Sequence, residues 1–336
     1  MTTNPSIKIA VLGAGSWGSA LATHLARNQH NVYLWGRAED NIEDIESSRE
    51  NKNYLPGIKL PDNLTATTSM TAAIQDAEKV LIVTPSYAFR SILLKLKEAD
   101  FNPEAGISWG TKGLEQGSNK LLHKVAEEEF GSGIKLAMLS GPTFALEVAK
   151  KLPTAITVAA NNPVFARRWS KLLSSNYFRA YTSDDIIGAE IAAACKNIIA
   201  IAAGISDGLG YGSNARSAII TRGLHEIMLL GDAYGAHEKT FMGLSGIGDL
   251  TLTCSDDKSR NRRLGLLLAK GMSIDEAKRE IGQSVEGIHA AKIICQLAAD
   301  KRVDMPISIE ILRIIVGAHS PRMAASNLMQ RTLKPE

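Results

Sequence analysis

Three glycines in the spacing Gly13-x-Gly15-x-x-Gly18 follow the apolar run Ile7 to Leu12 and open a helix-patterned stretch, Trp17 to Asn28. A strand that ends in a tight turn and starts a helix leaves backbone N–H groups unpaired. Glycine lets an anion come against them, so the arrangement reads as a cradle for the pyrophosphate of a dinucleotide. A second chemistry-bearing residue is Lys196. On a 3.6-residue period its neighbours are Ala189, Ala192, Ala193, Ile199, Ala200 and Ala203. An ammonium partly stripped of water among small side chains becomes a usable proton donor or acceptor. The competing reading is a lysine that lays its stem on apolar surface and reaches solvent. Asn197 and Glu190 occupy a neighbouring stripe, either to orient a ligand or to pair as buried structural groups.

Two later segments carry charge at chosen places. Gly243-Leu-Ser-Gly246-Ile-Gly248 narrows the backbone ahead of one carboxylate, Asp249, placed to pair with Lys196 or, alternatively, to cap a short helix over Leu250 to Thr253. Ser259 is a helix N-cap followed by Arg260, Arg262 and Arg263 in the first turn. Cations there oppose the helix dipole, which makes sense where an anion such as phosphate binds; local neutralisation by Asp256 and Asp257 is the alternative. Lys112, flanked by Gly110 and Gly113, follows the apolar run Gly106 to Trp109, and Ser140-Gly141-Pro142-Thr143-Phe144-Ala145 closes another such run with small residues and a hydroxyl. No His, Cys or carboxylate cluster has metal-ligand spacing, and no Gly-x-Ser-x-Gly elbow occurs.

The second apolar run, Asn31 to Trp35, ends in Gly36-Arg37 instead of the acid that receives a ribose 2′-hydroxyl in NAD-preferring folds. A guanidinium there grips a 2′-phosphate, so NADP(H) is favoured, while Glu39 and Asp40 keep NAD(H) in play; a solvated loop arginine is the plainer reading of Arg37.

These residues need a scaffold, and the first half of the chain supplies it by alternating short β-like runs with helical patterns, the signature of a parallel sheet covered on both faces. Further strands are expected at Lys79–Val83, Ile134–Leu139, Ala155–Ala160 and Tyr177–Tyr181, with a helix at 163–174. The loops at 13–18, 36–37, 84–87, 110–113 and 140–145 should then share one sheet edge. From Ser183 onward the period is helical, with helices expected at 184–203, 214–233, 259–270, 273–281, 288–299 and 307–316. The expected division is 1–182, an α/β Rossmann-type N-terminal domain, and 183–336, an all-α C-terminal domain that closes over that edge.

A chain of 336 residues suits two domains, and a net charge of +3 with 5% aromatic residues leaves no broad basic or stacking surface for nucleic acid. Three scattered cysteines form no disulfide framework, and MTTNPSIKIA lacks the pattern of a signal peptide, so a cytoplasmic location is expected. Ile186 to Ile205 is long enough to span a bilayer but contains Glu190, Lys196 and Asn197, so a buried helix is expected and no integral membrane segment.

In this order the segments Gly13-Ala-Gly-Ser-Trp-Gly18, Asn53-Tyr-Leu-Pro-Gly57, Thr111-Lys-Gly-Leu-Glu115, Ser140 to Ala145, Lys196-Asn197, Gly246-Ile-Gly-Asp-Leu250 with Thr253, Ser259-Arg-Asn261 and Val285-Glu-Gly287 resemble the bacterial-type NAD(P)-dependent glycerol-3-phosphate dehydrogenases over essentially the whole chain. The resemblance implies a helical C-terminal domain like that of 6-phosphogluconate dehydrogenases, an active site in the cleft, and a homodimer. It also implies interconversion of dihydroxyacetone phosphate and sn-glycerol 3-phosphate for phospholipid synthesis. Carried over by position, Lys196 is the general acid/base. Lys112, Gly141, Thr143, Asp249, Ser259, Arg260 and Asn261 join it around the substrate. Gly13, Gly15, Ser16, Trp17, Gly18, Arg37, Tyr54, Lys112, Ala145, Arg260, Ser284 and Glu286 meet the cofactor. The rival functions are another NADP-dependent reductase of the β-hydroxyacid dehydrogenase type, with no need of Arg260, and a non-catalytic NADP(H)-sensing regulator, with no need of Lys112, Lys196 and Asp249.

Overall fold

The first apolar run forms β1 (Lys8–Leu12), in which Ile9 to Leu12 are fully buried, as a strand covered on both faces must be. In the computed structural model, which describes residues 6–332, β1 stands inside one eight-stranded sheet. The first five residues, part of the N-terminus read above for a signal peptide, lie outside the described residues. The other strands are β2 (Asn31–Trp35), β3 (Leu64–Thr67), β4 (Lys79–Ile82), β5 (Ile107–Trp109), β6 (Leu136–Ser140), β7 (Thr154–Ala160) and β8 (Phe178–Ser183). The spatial order is β3-β2-β1-β4-β5-β6-β7-β8, with every neighbouring pair from β3 to β6 parallel. This is the doubly wound dinucleotide-binding order, extended by two strands.

Those two strands depart from the expected all-parallel sheet. β7 runs antiparallel to β6 and β8 parallel to β7, because the short link through α6 (Ala145–Ala149, numbered with the helices below) returns the chain without a full crossover. The strand β3 was not anticipated either: four residues with alternating burial are too few for a countable pattern.

The helices of this first unit are α1 (Ser16–Arg27), α2 (Ile42–Ser48), α3 (Met70–Ile74), α4 (Phe89–Glu98), α5 (Leu122–Phe130), α6 and α7 (Pro163–Leu173). Since β1, β2, β4, β5 and β6 all point one way, the loops that follow them lie at the same edge of the sheet, as the sequence predicts.

The chain divides into two units, 1–186 and 187–336. The second is built from α8 (Ile186–Gly208), α9 (Gly212–Ala233), α10 (Glu238–Phe241), α11 (Asp249–Ser255), α12 (Arg260–Ala269), α13 (Ile274–Ile281), α14 (Glu286–Lys301), α15 (Pro306–Ile315) and α16 (Pro321–Met329). α8 is long and apolar enough to cross a membrane, yet 94% of its most apolar window is buried within the protein. It meets α12 at glycines. A Cβ on Gly204 would stand 2.1 Å from the Arg262 carbonyl oxygen, and one on Gly265 would stand 2.2 Å from that of Ile201. No other residue permits backbones this close, and the crossing brings the first half of α12 against the last third of α8.

Candidate active site

The three cradle glycines each meet a different constraint. Gly13 has φ +124°, and a Cβ there would lie 2.5 Å from the Val83 carbonyl oxygen; on Gly18 it would lie 1.9 Å from that of Gly13. Gly15, in contrast, faces open space, with nothing within 4 Å of the position a Cβ would take. Two glycines therefore make the turn and its packing, and the third leaves the approach to the helix start clear. These residues fit a dinucleotide's pyrophosphate. Ser16 opens α1 with Gly15 as its N-cap, and Trp17 packs its indole Nε1 against Gly110.

Sequence reasoning missed the residue that ties the next segment to this loop. Asn51 is 1% exposed, and its amide donates to the Ala14 carbonyl and to Ser19 Oγ, both at 2.8 Å, while its Oδ1 accepts from the backbone N–H of Tyr54 at 3.1 Å. Tyr54, 36% exposed, is thereby tied through Asn51 to the segment that carries the cradle. Arg37, at the end of β2, holds Asp40 in a two-pronged contact, Nε to Oδ2 at 3.2 Å and Nη2 to Oδ1 at 3.1 Å, with its side chain 62% exposed. Partial burial pushes the Asp40 carboxyl up, but the Arg37 hydrogen bonds and charge outweigh it and hold it below the usual carboxylate range. Lys112 follows β5, and Thr143, whose Oγ1 donates to the Gly141 carbonyl at 3.2 Å, follows β6, just before Ala145 starts α6.

In the helical unit, the predicted partnership of Lys196 and Asp249 is present. Lys196 Nζ lies 2.6 Å from Asp249 Oδ1, the two side chains 6% and 2% exposed, and also donates to Thr253 Oγ1 at 3.0 Å. The Thr253 hydroxyl in turn donates a hydrogen bond to the Asp249 backbone carbonyl at 2.6 Å. Asp249 is the first residue of α11, with Gly248 as the cap, so the capping alternative does not hold. The preceding glycines form a single wide turn over Leu244–Gly248, where a Cβ on Gly246 would lie 2.0 Å from the Phe241 carbonyl oxygen. That turn aims Asp249 back at α8. Burial pushes the neighbouring Cys254 thiol up to about 12, which leaves it protonated and no nucleophile.

The three arginines of α12 separate on inspection. Arg262 is buried and spent on Asp207 at 2.6 Å, on the Cys254 carbonyl at 3.0 Å and on Asp257, so for this residue neutralisation is the correct reading. Half-buried Arg260 donates a long hydrogen bond to Gln283 at 3.4 Å, and stands at the start of a ten-residue helix whose cap Ser259 accepts from the Arg262 N–H at 3.2 Å. Asn261 bridges α8 and α14: its Nδ2 donates to Asn197 Oδ1 and its Oδ1 accepts from the Gly287 N–H, both at 2.9 Å. That contact fixes the start of α14, where Glu286 is the first helical residue and Ser284 lies exposed just before it. Lys196, Asp249 and Thr253 form one buried polar group, and Asn197 with Asn261 forms a second, adjoining it in sequence at 196–197. Among the described residues, no three His, Cys, Asp or Glu side chains group as metal ligands.

A glycine cradle at a parallel sheet edge, followed by a helical unit with a buried lysine, defines the class of nicotinamide-dependent oxidoreductases built on a Rossmann unit and an all-helical unit. Comparison with known proteins narrows it. The profile of the NAD-dependent glycerol-3-phosphate dehydrogenase N-terminus matches residues 8–166, and that of the C-terminus matches 185–326. The chain is 50% identical over 329 residues to the glycerol-3-phosphate dehydrogenase (NAD(P)+) of Thioalkalivibrio sulfidiphilus, covering 98% of both chains, and equally so to that of Methylococcus capsulatus. The crystal structure of glycerol-3-phosphate dehydrogenase from Coxiella burnetii superposes with a TM-score of 0.93 at 42% identity, over 97% of this chain and 99% of that one. The chain belongs to the NAD-dependent glycerol-3-phosphate dehydrogenase family.

Proposed function

We propose that this protein is an NAD(P)-dependent sn-glycerol-3-phosphate dehydrogenase, interconverting dihydroxyacetone phosphate and sn-glycerol 3-phosphate, the backbone of phospholipids. The observation that carries this reading is the buried Lys196–Asp249 pair at 2.6 Å in a chain related to such enzymes over 98% of its length. Bound in the Gly13–Gly18 cradle, the nicotinamide cofactor supplies or takes up the hydride.

Lys196 holds a proton at Nζ and delivers it to the C2 oxygen of the triose as that oxygen gains charge, and takes it back in the reverse direction. Asp249 and Thr253 keep that ammonium in one orientation. Arg260 and the start of α12 hold the phosphate, so that a group taking no part in the bond changes positions the carbon that does. Lys112, Gly141, Thr143, Ser259 and Asn261 are assigned to the substrate as well. Ser16, Trp17, Arg37, Tyr54, Lys112, Ala145, Arg260, Ser284 and Glu286 are assigned to the cofactor.

Between the two cofactors NADP(H) is favoured, because Arg37, exposed and charged, stands two residues after β2, where an acid would repel a 2′-phosphate. Three free cysteines suit work in the cytoplasm, and the family resemblance supports a homodimer. The experiment is loss of NADPH absorbance with dihydroxyacetone phosphate, repeated with NADH. Absence of turnover with both refutes the activity, and a ratio of kcat/KM in favour of NADH refutes the cofactor preference.

A further inference from the structure

Lys112 sits in the loop that follows β5. Gly110 and Gly113 flank it, and Gly113 has φ +113°. What holds the far end of that loop is Glu115, 9% exposed, whose two oxygens accept from one guanidinium: Arg90 Nε to Oε1 at 2.6 Å and Arg90 Nη2 to Oε2 at 2.8 Å. Ser118 Oγ donates to the same carboxylate. Arg90 is the second residue of α4, directly after the loop that follows β4, so the contact fastens two sheet-edge loops to each other. Gly113 packs on Ser86 of that other loop, where a Cβ would come within 3.1 Å of the hydroxyl.

The remaining N–H groups of Arg90 reach Glu129 at 2.6 Å and Glu128 at 2.7 Å on α5. Lys97 binds Glu129 at 2.8 Å, and Lys120 binds Glu128. Three acids and three bases thus form a neutral network with Arg90 at its centre. Its hydrogen bonds hold the guanidinium firmly protonated and keep Glu115, despite partial burial, below the usual carboxylate range.

We propose that Arg90 is a positioning residue of this enzyme: through its two-pronged grip on Glu115 it holds the Lys112 loop in the conformation that binds substrate and cofactor. The inference rests on the assignment of Lys112 given above. A two-pronged arginine–carboxylate contact inside a network of charges contributes to stability as well as to geometry, and a displacement of about 1 Å in a ligand-positioning group costs on the order of a hundredfold in rate. Stability and geometry must therefore be read separately.

The test compares Arg90→Met, Arg90→Lys, Glu115→Gln, Lys112→Ala and the double variant Arg90→Met/Lys112→Ala. Amide hydrogen exchange across 110–116 in the nucleotide-free protein is followed together with NADPH affinity by titration and with kcat and KM for dihydroxyacetone phosphate. Faster exchange in that segment is expected for Arg90→Met and Glu115→Gln, with a 10- to 100-fold fall in kcat/KM measured well below the melting temperature of each variant. Arg90→Lys, which cannot form the two-pronged contact, should restore little of it. In the Lys112→Ala background, Arg90→Met should add no further loss.

A purely structural Arg90 would instead lower kcat/KM by the same factor with or without Lys112, and that outcome overturns the proposal. So does an Arg90→Met enzyme within twofold of the parent beside a crippled Lys112→Ala. A near-normal Lys112→Ala removes the assignment of Lys112 itself, and the inference with it. Should Arg90→Met fail to fold, the neutral and nearly isosteric Glu115→Gln carries the same comparisons.

Discussion

The Nζ of Lys196, in the middle of α8, and Oδ1 of Asp249, at the first residue of α11, lie 2.6 Å apart with both side chains almost wholly removed from solvent. A buried pair of this kind has two separable consequences. Removal of one partner leaves the other charged and unpaired, at a cost of about 3–5 kcal/mol, while removal of both for apolar groups is close to neutral. Lys196→Met should therefore be markedly destabilised, and Lys196→Met/Asp249→Leu should recover most of that loss in urea unfolding. Turnover should not recover in either, falling by roughly a factor of a thousand as expected for loss of a general acid, with NADPH affinity preserved. Parental turnover in Lys196→Met would take the lysine out of the chemistry.

The cradle glycines make a sharper contrast, because they differ in what surrounds them. Gly18→Ala drives a methyl into the Gly13 carbonyl oxygen, 1.9 Å away, and should destabilise the protein by about 2 kcal/mol or more, since backbone rather than a flexible side chain must give way. Gly15→Ala meets nothing in the protein, so its melting temperature should match the parent. Its methyl instead occupies the path of the pyrophosphate, and dinucleotide affinity should fall tenfold or more, about 1.4 kcal/mol for each tenfold. Calorimetric melting and nucleotide titration separate the two, and undiminished affinity in Gly15→Ala would place the pyrophosphate elsewhere.

The difference between what was legible in the sequence and what was not follows the range of the forces involved. The cradle, β1 and the apolar faces of α1 and α8 are local patterns, and the sequence carries them whole. Lys196 and Asp249 were matched across 53 positions because each is a lone charge in a run of small or apolar residues. Arg90 had no such signal: its carboxylate partners stand 25, 38 and 39 positions away among many other acids. Asn51 likewise acts on Ala14 and Ser19, 37 and 32 positions earlier, from a loop with no periodicity. Arg260 and Arg262 look alike in sequence, and the contact of Arg262 with Asp207, 55 positions away, helps to tell them apart. The reversal of β7 depends on how short a link can be closed, which hydropathy does not encode.

Asn261 was assigned to the substrate by resemblance, while its amide is committed within the protein to Asn197 and to the Gly287 N–H. Asn261→Ala should leave both unsatisfied in a buried place, a loss of about 2 kcal/mol in stability, and should loosen the residue next to Lys196. A fall in kcat with little change in KM for dihydroxyacetone phosphate is expected if the contact is structural. A large rise in KM with unchanged kcat would restore direct binding.

His24, inside α1 and directly behind the cradle, has no solvent exposure. Its Nε2 donates to the Leu173 carbonyl at 2.6 Å, and its Nδ1 is left to accept from the Tyr177 hydroxyl at 3.2 Å, an arrangement suited to the neutral ring. Burial lowers its pKa to about 4, against the partial compensation of the Leu173 bond and with help from Arg27 and His30. Between the unfolded value of 6.5 and this folded value, the unfolded chain binds a proton that the native protein refuses, so stability falls as pH drops. The difference corresponds to roughly 3 kcal/mol, complete near pH 4 and absent above about pH 7. Urea midpoints measured from pH 7.5 to 4.5 should decline for the parent and decline less steeply for His24→Gln, whose amide donates to Leu173 without titrating. Parallel profiles for the two proteins would show that this imidazole is protonated in the folded state and that the acid sensitivity of α1 has another source.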